Sequence, residues 1–467
     1  MNVNYNKITP DIAGKISEII GSEFTVCNGE RIETYAHDET EDLRFYPELV
    51  VKPQNTQQIA ALLRLCNKYH IPVTPRGAGT GLSGGALPAY GGVLVSMELM
   101  NNIIEIDEQN LQATIESGVI TEDLRTAATA VGLLFPVDPG SKSTCLIGGN
   151  VAHGAGGPRV VKYGTIRNYI LNLEVVLPSG DIIWTGANTL KYASGYDLTQ
   201  LMIGAEGTLG IITKIVVKLI AKPMHTLVML ASFYSNEQAC AAVSAIFRAG
   251  VTPSAVEYME RKGVAWVMEF DRIEFDLKPG VEAFLLIELD GNRREVLSED
   301  AVIIREVLEQ NACADILLAQ TEAEKDKLWK IRRIMPVSVK ANSVYKEEDT
   351  VVPRAKLPQL IRVIKETGQK YGFQSVCYGH AGDGNLHVNI IKAGMSDADW
   401  NTRLKDGIRE IFEWTVKAGG TLSGEHGIGL VQREYMSIKY SEAHLNLMRG
   451  IKKVFDENNI LNPGKMF

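Results

Sequence analysis

The sequence predicts an α+β protein of two or three domains, a glycine-rich domain first and an α+β cap after it. Three observations carry this. The chain has 467 residues, more than one ordinary core accommodates. Glycine clusters lie among β-branched segments before Pro223, whereas beyond it strands alternate with longer helices. Composition is that of a globular protein, 45% hydrophobic and 22% charged, with no low-complexity tract and no internal repeat.

The elements follow in order. Asn55–Tyr69 places Ile59, Leu62, Leu63, Cys66 and Tyr69 at helical spacing, with Asn55 or Thr56 available as N-cap. Ile71–Thr74 reads as a strand and Pro75–Gly92 as a long glycine-rich loop. Gly92–Met97, Ile103–Asp107 and Gln112–Glu116 are strand-like, and Glu122–Val131 is helical. A second glycine-rich stretch runs from Pro139 to Gly157. Leu171–Leu177 and Ile182–Trp184 flank the turn Pro178-Ser179-Gly180-Asp181, which predicts a hairpin. Ile211–Ile220 is a β-branched strand ending before Pro223. After that boundary come a strand at Thr226–Phe233, a helix at Glu237–Ala249, a strand at Glu282–Leu289 and a last helix at Glu442–Asn458.

Charge and composition exclude several classes. A formal net charge of −8 and a pI near 5.7 argue against a nucleic-acid or anionic-membrane surface. Met1–Thr9 has no basic stretch followed by an apolar core, so no signal peptide is expected. Apolar runs are short: Asp or Gly punctuates Ala283–Gly291, and Pro178 interrupts Leu173–Trp184, so no integral membrane segment is expected. Six scattered cysteines without a C-x-x-C predict free thiols in a cytoplasmic protein, with no iron–sulfur site in this chain.

The first glycine loop, Pro75-Arg76-Gly77-Ala78-Gly79-Thr80-Gly81-Leu82-Ser83-Gly84-Gly85, contains G-x-G-x-x-G at Gly79, Gly81 and Gly84. A Rossmann site needs a helix directly after such a loop. Gly85, Pro88, Gly91 and Gly92 follow instead, so that reading fails. What remains is a nest of unhindered amides, with Arg76, Thr80 and Ser83 added, suited to phosphate oxygens. A mobile glycine linker is the plain alternative, but such linkers seldom sit between two strong apolar strands. The second stretch, with Pro139, Gly140, Ser141, Gly148, Gly149, Asn150, Ala152 and Gly156, removes side chains where a flat group must lie close. A third piece, Glu206-Gly207-Thr208-Leu209-Gly210-Ile211-Ile212, leads into the last strand of the domain.

These three pieces, in this order over about Tyr46–Ile220, resemble the FAD-binding domain of the vanillyl-alcohol oxidase and p-cresol methylhydroxylase superfamily. The resemblance implies a two-subdomain FAD-binding domain at 1–221 and an α+β substrate (cap) domain at 222–418. A C-terminal segment at 419–467 would return to the FAD domain. It also implies that the first loop and the Gly148–Asn150 region hold the pyrophosphate, with Glu206–Ile212 along the rest of the cofactor. Asn462, in the terminal Asn-Pro-Gly-Lys run, is expected to join them. Some members attach the flavin through a histidine of the first loop. None stands between His70 and His153, which implies non-covalent FAD.

In the second half, Tyr378-Gly379-His380-Ala381-Gly382-Asp383-Gly384-Asn385-Leu386-His387-Val388-Asn389 reads as strand, turn, strand. The two-residue period puts His387 and Asn389 on one face and Leu386, Val388 and Ile390 on the other. His380 can meet His387 across the turn. Ser423-Gly424-Glu425-His426-Gly427 supplies a carboxylate and an imidazole in another glycine loop. His380, His387 and Glu425 would form a two-His, one-carboxylate site for Zn²⁺, Mn²⁺ or Fe²⁺. Three polar residues satisfying loop backbone is the alternative. Of eight histidines in the chain, three fall in these two loops.

With these motifs nearly the whole chain resembles the FAD-linked D-2-hydroxy acid dehydrogenases: D-lactate dehydrogenases, the catalytic subunit of glycolate oxidase, and D-2-hydroxyglutarate dehydrogenases. The resemblance implies metal binding by His380, His387 and Glu425, and proton removal by His426. It implies a substrate-carboxylate clamp at Arg332, in Trp329-Lys330-Ile331-Arg332, with Lys346 as a second cationic contact. Asn389 and His426 would also border the substrate. Lys325, Lys327, Lys330 and Arg333 leave a solvated face as the other reading of Arg332. A threonine that some hydroxyglutarate enzymes carry four residues after the arginine is Pro336 here, which weighs against that substrate. The implied reaction is oxidation of a small D-2-hydroxy acid, D-lactate foremost, with glycolate or D-2-hydroxyglutarate as alternatives. Electrons would pass to a separate acceptor, an electron-transferring flavoprotein or an iron–sulfur subunit. A non-catalytic flavin electron-transfer subunit would lack the second-half histidines, and a metal-dependent hydrolase would lack the three FAD pieces.

Overall fold

The computed structural model describes residues 4–27 and 30–467. The chain forms two compact units. Met1–Gly156, Thr165–Lys222 and Glu425–Phe467 make the first, and Gly157–Gly164 with Pro223–Gly424 make the second. The return to the first unit begins at Glu425, and Gly157–Gly164 is a short excursion into the second.

In the first unit, strands Leu49–Val51, Val93–Ser96 and Val73–Arg76 pair in parallel, with Thr25–Val26 antiparallel at one edge. Helix Thr56–Tyr69 is capped by the Asn55 side chain, which accepts from the Gln58 amide. It buries Ile59, Leu62, Leu63 and Cys66 in the core that these strands share. A second, antiparallel sheet runs in the order Ile103–Asp107, Gln112–Glu116, Ile211–Lys218, Ile170–Val176, Ile182–Trp184, the last two forming the expected hairpin. The strand from Ile211 stops at Lys218. Ile220–Ala221 is a separate piece that pairs with Leu133–Leu134.

Within the second glycine stretch, Ile147–His153 is a helix. Two glycines argue against one by propensity. Tertiary bonds decide otherwise: the Ile147 and Gly148 amides, which a helix start leaves without partners, donate to the carbonyls of Val119 and Ser117. Gly154 ends the helix at φ 72°, a left-handed conformation that suits glycine. The last long helix runs Glu442–Phe455, stopping short of Asn458. There the Asp456 carboxylate accepts the amides of Ile460 and Leu461 and turns the chain back, so that Leu461 bridges Val73.

The second unit is built on a seven-stranded antiparallel sheet, ordered Cys313–Leu318, His225–Phe233, Ala283–Gly291, Ala255–Glu260, Gln374–Gly379, Asn385–Ile391, Tyr345–Val351. Helix Glu322–Asn342 starts with a capping box between Thr321 and Glu324 and buries Leu328, Trp329, Ile331, Met335 and Val339. Glu288, in the sheet, accepts from Arg159, Trp329 and Ser254, which fastens the Gly157–Gly164 excursion to this unit. No helix among the described residues is long and apolar enough to cross a membrane.

Candidate active site

In the first unit, Pro75, Arg76, Gly77, Gly148, Gly149, Ala152, Glu206, Gly207, Gly210, Ile211 and Ile212 line one cleft. The absence of side chains shapes it. Gly77 and Gly149 approach backbone to backbone, and a Cβ on Gly149 would meet no protein atom, only the cleft. Arg76 is buried, its pKa pulled down by burial and held up in part by Asp38. One Nη reaches the Thr34 carbonyl at 3.3 Å, and Nη1 has no partner among the described residues. Ser117 Oγ and His153 Nε2 are likewise buried without partners. His153 Nδ1 donates to the Gly149 carbonyl at 3.2 Å, which leaves Nε2 an acceptor. The orphaned donors of Arg76 and Ser117 along a glycine-edged cleft suit an anionic, flat, extended group, so these residues fit FAD. Gly79 serves indirectly: at φ 75° it leaves room that a Cβ would take from the Arg76 guanidinium.

Other predicted cofactor residues brace this cleft without lining it. Asn462 donates to the carbonyls of Gly85 and Glu206, at 2.9 and 2.7 Å, and accepts from Lys465. Its amide is fully used. The Glu206 carboxylate accepts from Ile428 and Gly429 at 2.6 and 2.7 Å, which anchors the loop that follows His426. Ser83 accepts from the Leu430 amide through its carbonyl. Asn150 donates to Thr121, the Pro139 carbonyl accepts from the Lys142 amide in a turn that holds an exposed Gly140, and the Ser141 carbonyl accepts from the Thr144 and Cys145 amides. Ala78, Thr80, Gly81, Leu82 and Gly156 also lie outside the lining.

The second unit collects side chains instead. His380 and His387 stand edge-on with ring centroids 5.2 Å apart. Glu257, fully buried in strand Ala255–Glu260, accepts from His380 Nδ1 at 2.8 Å and from Arg332 Nε at 2.7 Å. Burial would raise its pKa, but His380 and Arg332 outweigh that and hold it below the usual carboxylate value. Arg332 is therefore no solvated residue; it is 7% exposed and lies 5.0 Å over the Tyr378 ring. Asn389 is completely buried, and neither its amide atoms nor the Tyr378 hydroxyl has a hydrogen-bond partner among the described residues. Burial, then the charge of Glu347, pushes the Tyr378 pKa well up, with Asn389 near enough to oppose the rise but outside full hydrogen-bond geometry. The Nδ1 side of His380 is given to a carboxylate, the arrangement that fixes the other ring nitrogen for a cation. The donor chemistry fits a divalent metal.

Lys346 is the exception. Register pairs Lys346 with Ile390, and Glu347 with Asn389. Side chains alternate along a strand, so Lys346 is on the face away from His387 and Asn389, with its ammonium 5.7 Å over Trp400. Glu347 takes the site face, 3.6 Å from His387 Nδ1. Sequence reasoning also missed Glu257, His153 and Ser117. A carboxylate inside the apolar strand Ala255–Glu260 was the available signal for Glu257. His153 could have been found by reading Gly149 and His153 as one helical turn.

Two family models match. The FAD binding domain covers residues 47–186, and the C-terminal domain of FAD linked oxidases covers 222–466. The chain is 37% identical to the glycolate oxidase subunit GlcD of Bacillus subtilis, covering 98% of this chain and 97% of that protein. It is 38% identical to a D-lactate dehydrogenase of Anaerostipes hadrus, covering 99% and 98%. The solved 4-ethylphenol oxidase from Gulosibacter chungangensis superposes with a TM-score of 0.79 at 18% identity, over 99% of this chain and 98% of that one. That likeness gives the fold, which the solved p-cresol methylhydroxylase shares, with a TM-score of 0.76 at 18% identity over 97% of this chain and 96% of that one.

Proposed function

The chain belongs to the FAD-linked oxidase family and is an FAD-dependent oxidoreductase, and from that premise we propose that it oxidises a small D-2-hydroxy acid, D-lactate foremost, to the 2-keto acid. The observation that carries this is the buried group Arg332, Asn389 and Tyr378 beside two imidazoles, which offers unused donors to one small carboxylate. The relatives named for D-lactate and glycolate support both substrates.

In this reading Arg332, held through Nε by Glu257, turns its outer guanidinium edge to the substrate carboxylate and fixes the α-carbon. Asn389 adds a second donor. His426, on the loop that Glu206 anchors through Ile428 and Gly429, takes the hydroxyl proton. When bound, non-covalent FAD supplies the hydride acceptor, and a divalent ion on His380, His387 and Glu425 supplies Lewis acidity at the hydroxyl. Electrons then leave to a separate acceptor protein, an electron-transferring flavoprotein or an iron–sulfur subunit.

Anaerobic mixing with D-lactate tests the reading: the flavin absorbance should bleach, and L-lactate should be far slower. His426→Ala should slow this bleaching by ~10² to 10⁴ while FAD content stays unchanged. Bleaching of the variant at the parent rate would put the base elsewhere.

A further inference from the structure

We propose that Glu347 is a specificity-determining residue that confines the site to 2-hydroxy acids bearing a single carboxylate. The inference rests on the function proposed above and sharpens its substrate class. It starts from the register of the edge strand. A second cation at Lys346 would have welcomed a second carboxylate, but strand Tyr345–Val351 turns that lysine to the opposite face. The site face receives a carboxylate instead. Glu347 lies directly across from Asn389, its side chain is 7% exposed, and its charge reaches the Tyr378 hydroxyl.

The charges around it point the same way. Asp349, two residues on and on the same face, lies 3.7 Å from His387 and accepts from Asn385, Ser423 and the Gly424 amide. Arg332 already shares its charge with Glu257. Provision is therefore made for one substrate carboxylate. One helical turn beyond Arg332 stands Pro336, which has neither a side-chain donor nor an N–H to offer a second one. A substrate tail ending in a carboxylate would come to rest near Glu347 in a poorly solvated pocket. Two like charges ~6 Å apart at an effective dielectric of ~20 repel enough for a discrimination on the order of a hundredfold.

The test compares D-2-hydroxyglutarate with its neutral 5-amide, which differ in charge and hardly in shape. Anaerobic flavin reduction gives a second-order rate for each, and the amide-to-acid ratio is the readout. The parent should favour the amide by about tenfold to a hundredfold. Glu347→Gln should cut that ratio by about tenfold or more, Glu347→Lys should reverse it, and Glu347→Asp should keep it. A structural role for Glu347 would move both substrates together and leave the ratio fixed, which would overturn the proposal. So would a parent that takes the diacid as readily as the amide, before any variant is made. A parent that D-lactate, glycolate and the amide all fail to reduce would instead overturn the function itself, and this inference with it.

Discussion

The candidate sites of the two units are built by opposite means. The first uses backbone and empty space: glycines at 77, 148 and 149, with Arg76 as the one buried cation in the cleft lining. The second uses buried side chains whose bonds to one another set their positions, as Glu257 does for His380 and Arg332. The difference teaches where each is vulnerable. A backbone cradle fails when atoms are added. A side-chain cluster fails when one partner is taken away, because buried polar groups then lose the bonds that offset their desolvation.

The largest effect expected from this contrast is at Gly149. A Cβ there meets no protein atom within 4 Å and Gly149 lines the cleft, so Gly149→Val should fold and yet lose FAD. Overpacking against a rigid ligand costs about 3 kcal/mol or more, on the order of 10² in affinity. Flavin fluorescence titration of the apoprotein measures it. Gly148→Ala makes a useful partner, since its Cβ would meet Ser117 at 2.6 Å and strain the protein itself. If Gly149→Val binds FAD as the parent does, the cleft is not the cofactor site.

A smaller effect, reached by subtraction, is expected of Glu257→Gln. The amide oxygen can still accept from Arg332 Nε, but the amide NH₂ opposes the His380 Nδ1–H and disfavours that tautomer. Outer partners of this kind are typically worth ~10 to 100-fold in metal affinity or activity. Turnover should therefore fall by about that factor with FAD content unchanged. Equilibrium metal content should fall with it, and Glu257→Asp should recover part of both. Equal losses of FAD and turnover would mean that Glu257 merely supports the fold.

The same contrast explains what could be read from the sequence. Backbone recognition leaves a visible trace, because it demands glycine at several nearby positions, and Arg76, Gly77, Gly148 and Gly149 were legible for that reason. His380, His387 and Asn389 were legible because two strands and a tight turn fix their faces by simple alternation. Lys346, which only the resemblance implied, falls on the opposite face: alternation says which residues share a face but not which face, and only pairing with Asn385–Ile391 decides it. Glu257 was hidden because its partners are 75 and 123 residues away in the chain. The helix Ile147–His153 was hidden because its start is satisfied by the carbonyls of Ser117 and Val119, which local propensity cannot anticipate.

The smallest expected effect concerns Lys465, where the first unit departs from its reliance on uncharged backbone. Its ammonium is buried, donating to the Leu87 carbonyl at 2.6 Å and to Asn462 Oδ1 at 3.0 Å, so it braces the residue that braces the glycine loop. Burial lowers its pKa from 10.5 to about 8, with Glu206 and Asp38 opposing the fall. Between those two pH values the unfolded chain binds the proton more tightly than the folded one, so stability rises with pH across that window. Below about pH 8 both states are protonated and the burial cost is fully present. The two carbonyl-type acceptors offset part of that cost, which leaves about 1–2 kcal/mol to be gained. Lys465→Met keeps the length of the side chain and removes the titration. The unfolding free energy of the parent minus that of the variant, in which other lysines and tyrosines cancel, should therefore grow by this amount from pH 7.5 to pH 10. A difference that stays level would show that Lys465 is as well solvated folded as unfolded, and that the first unit holds its cleft without burying a charge there.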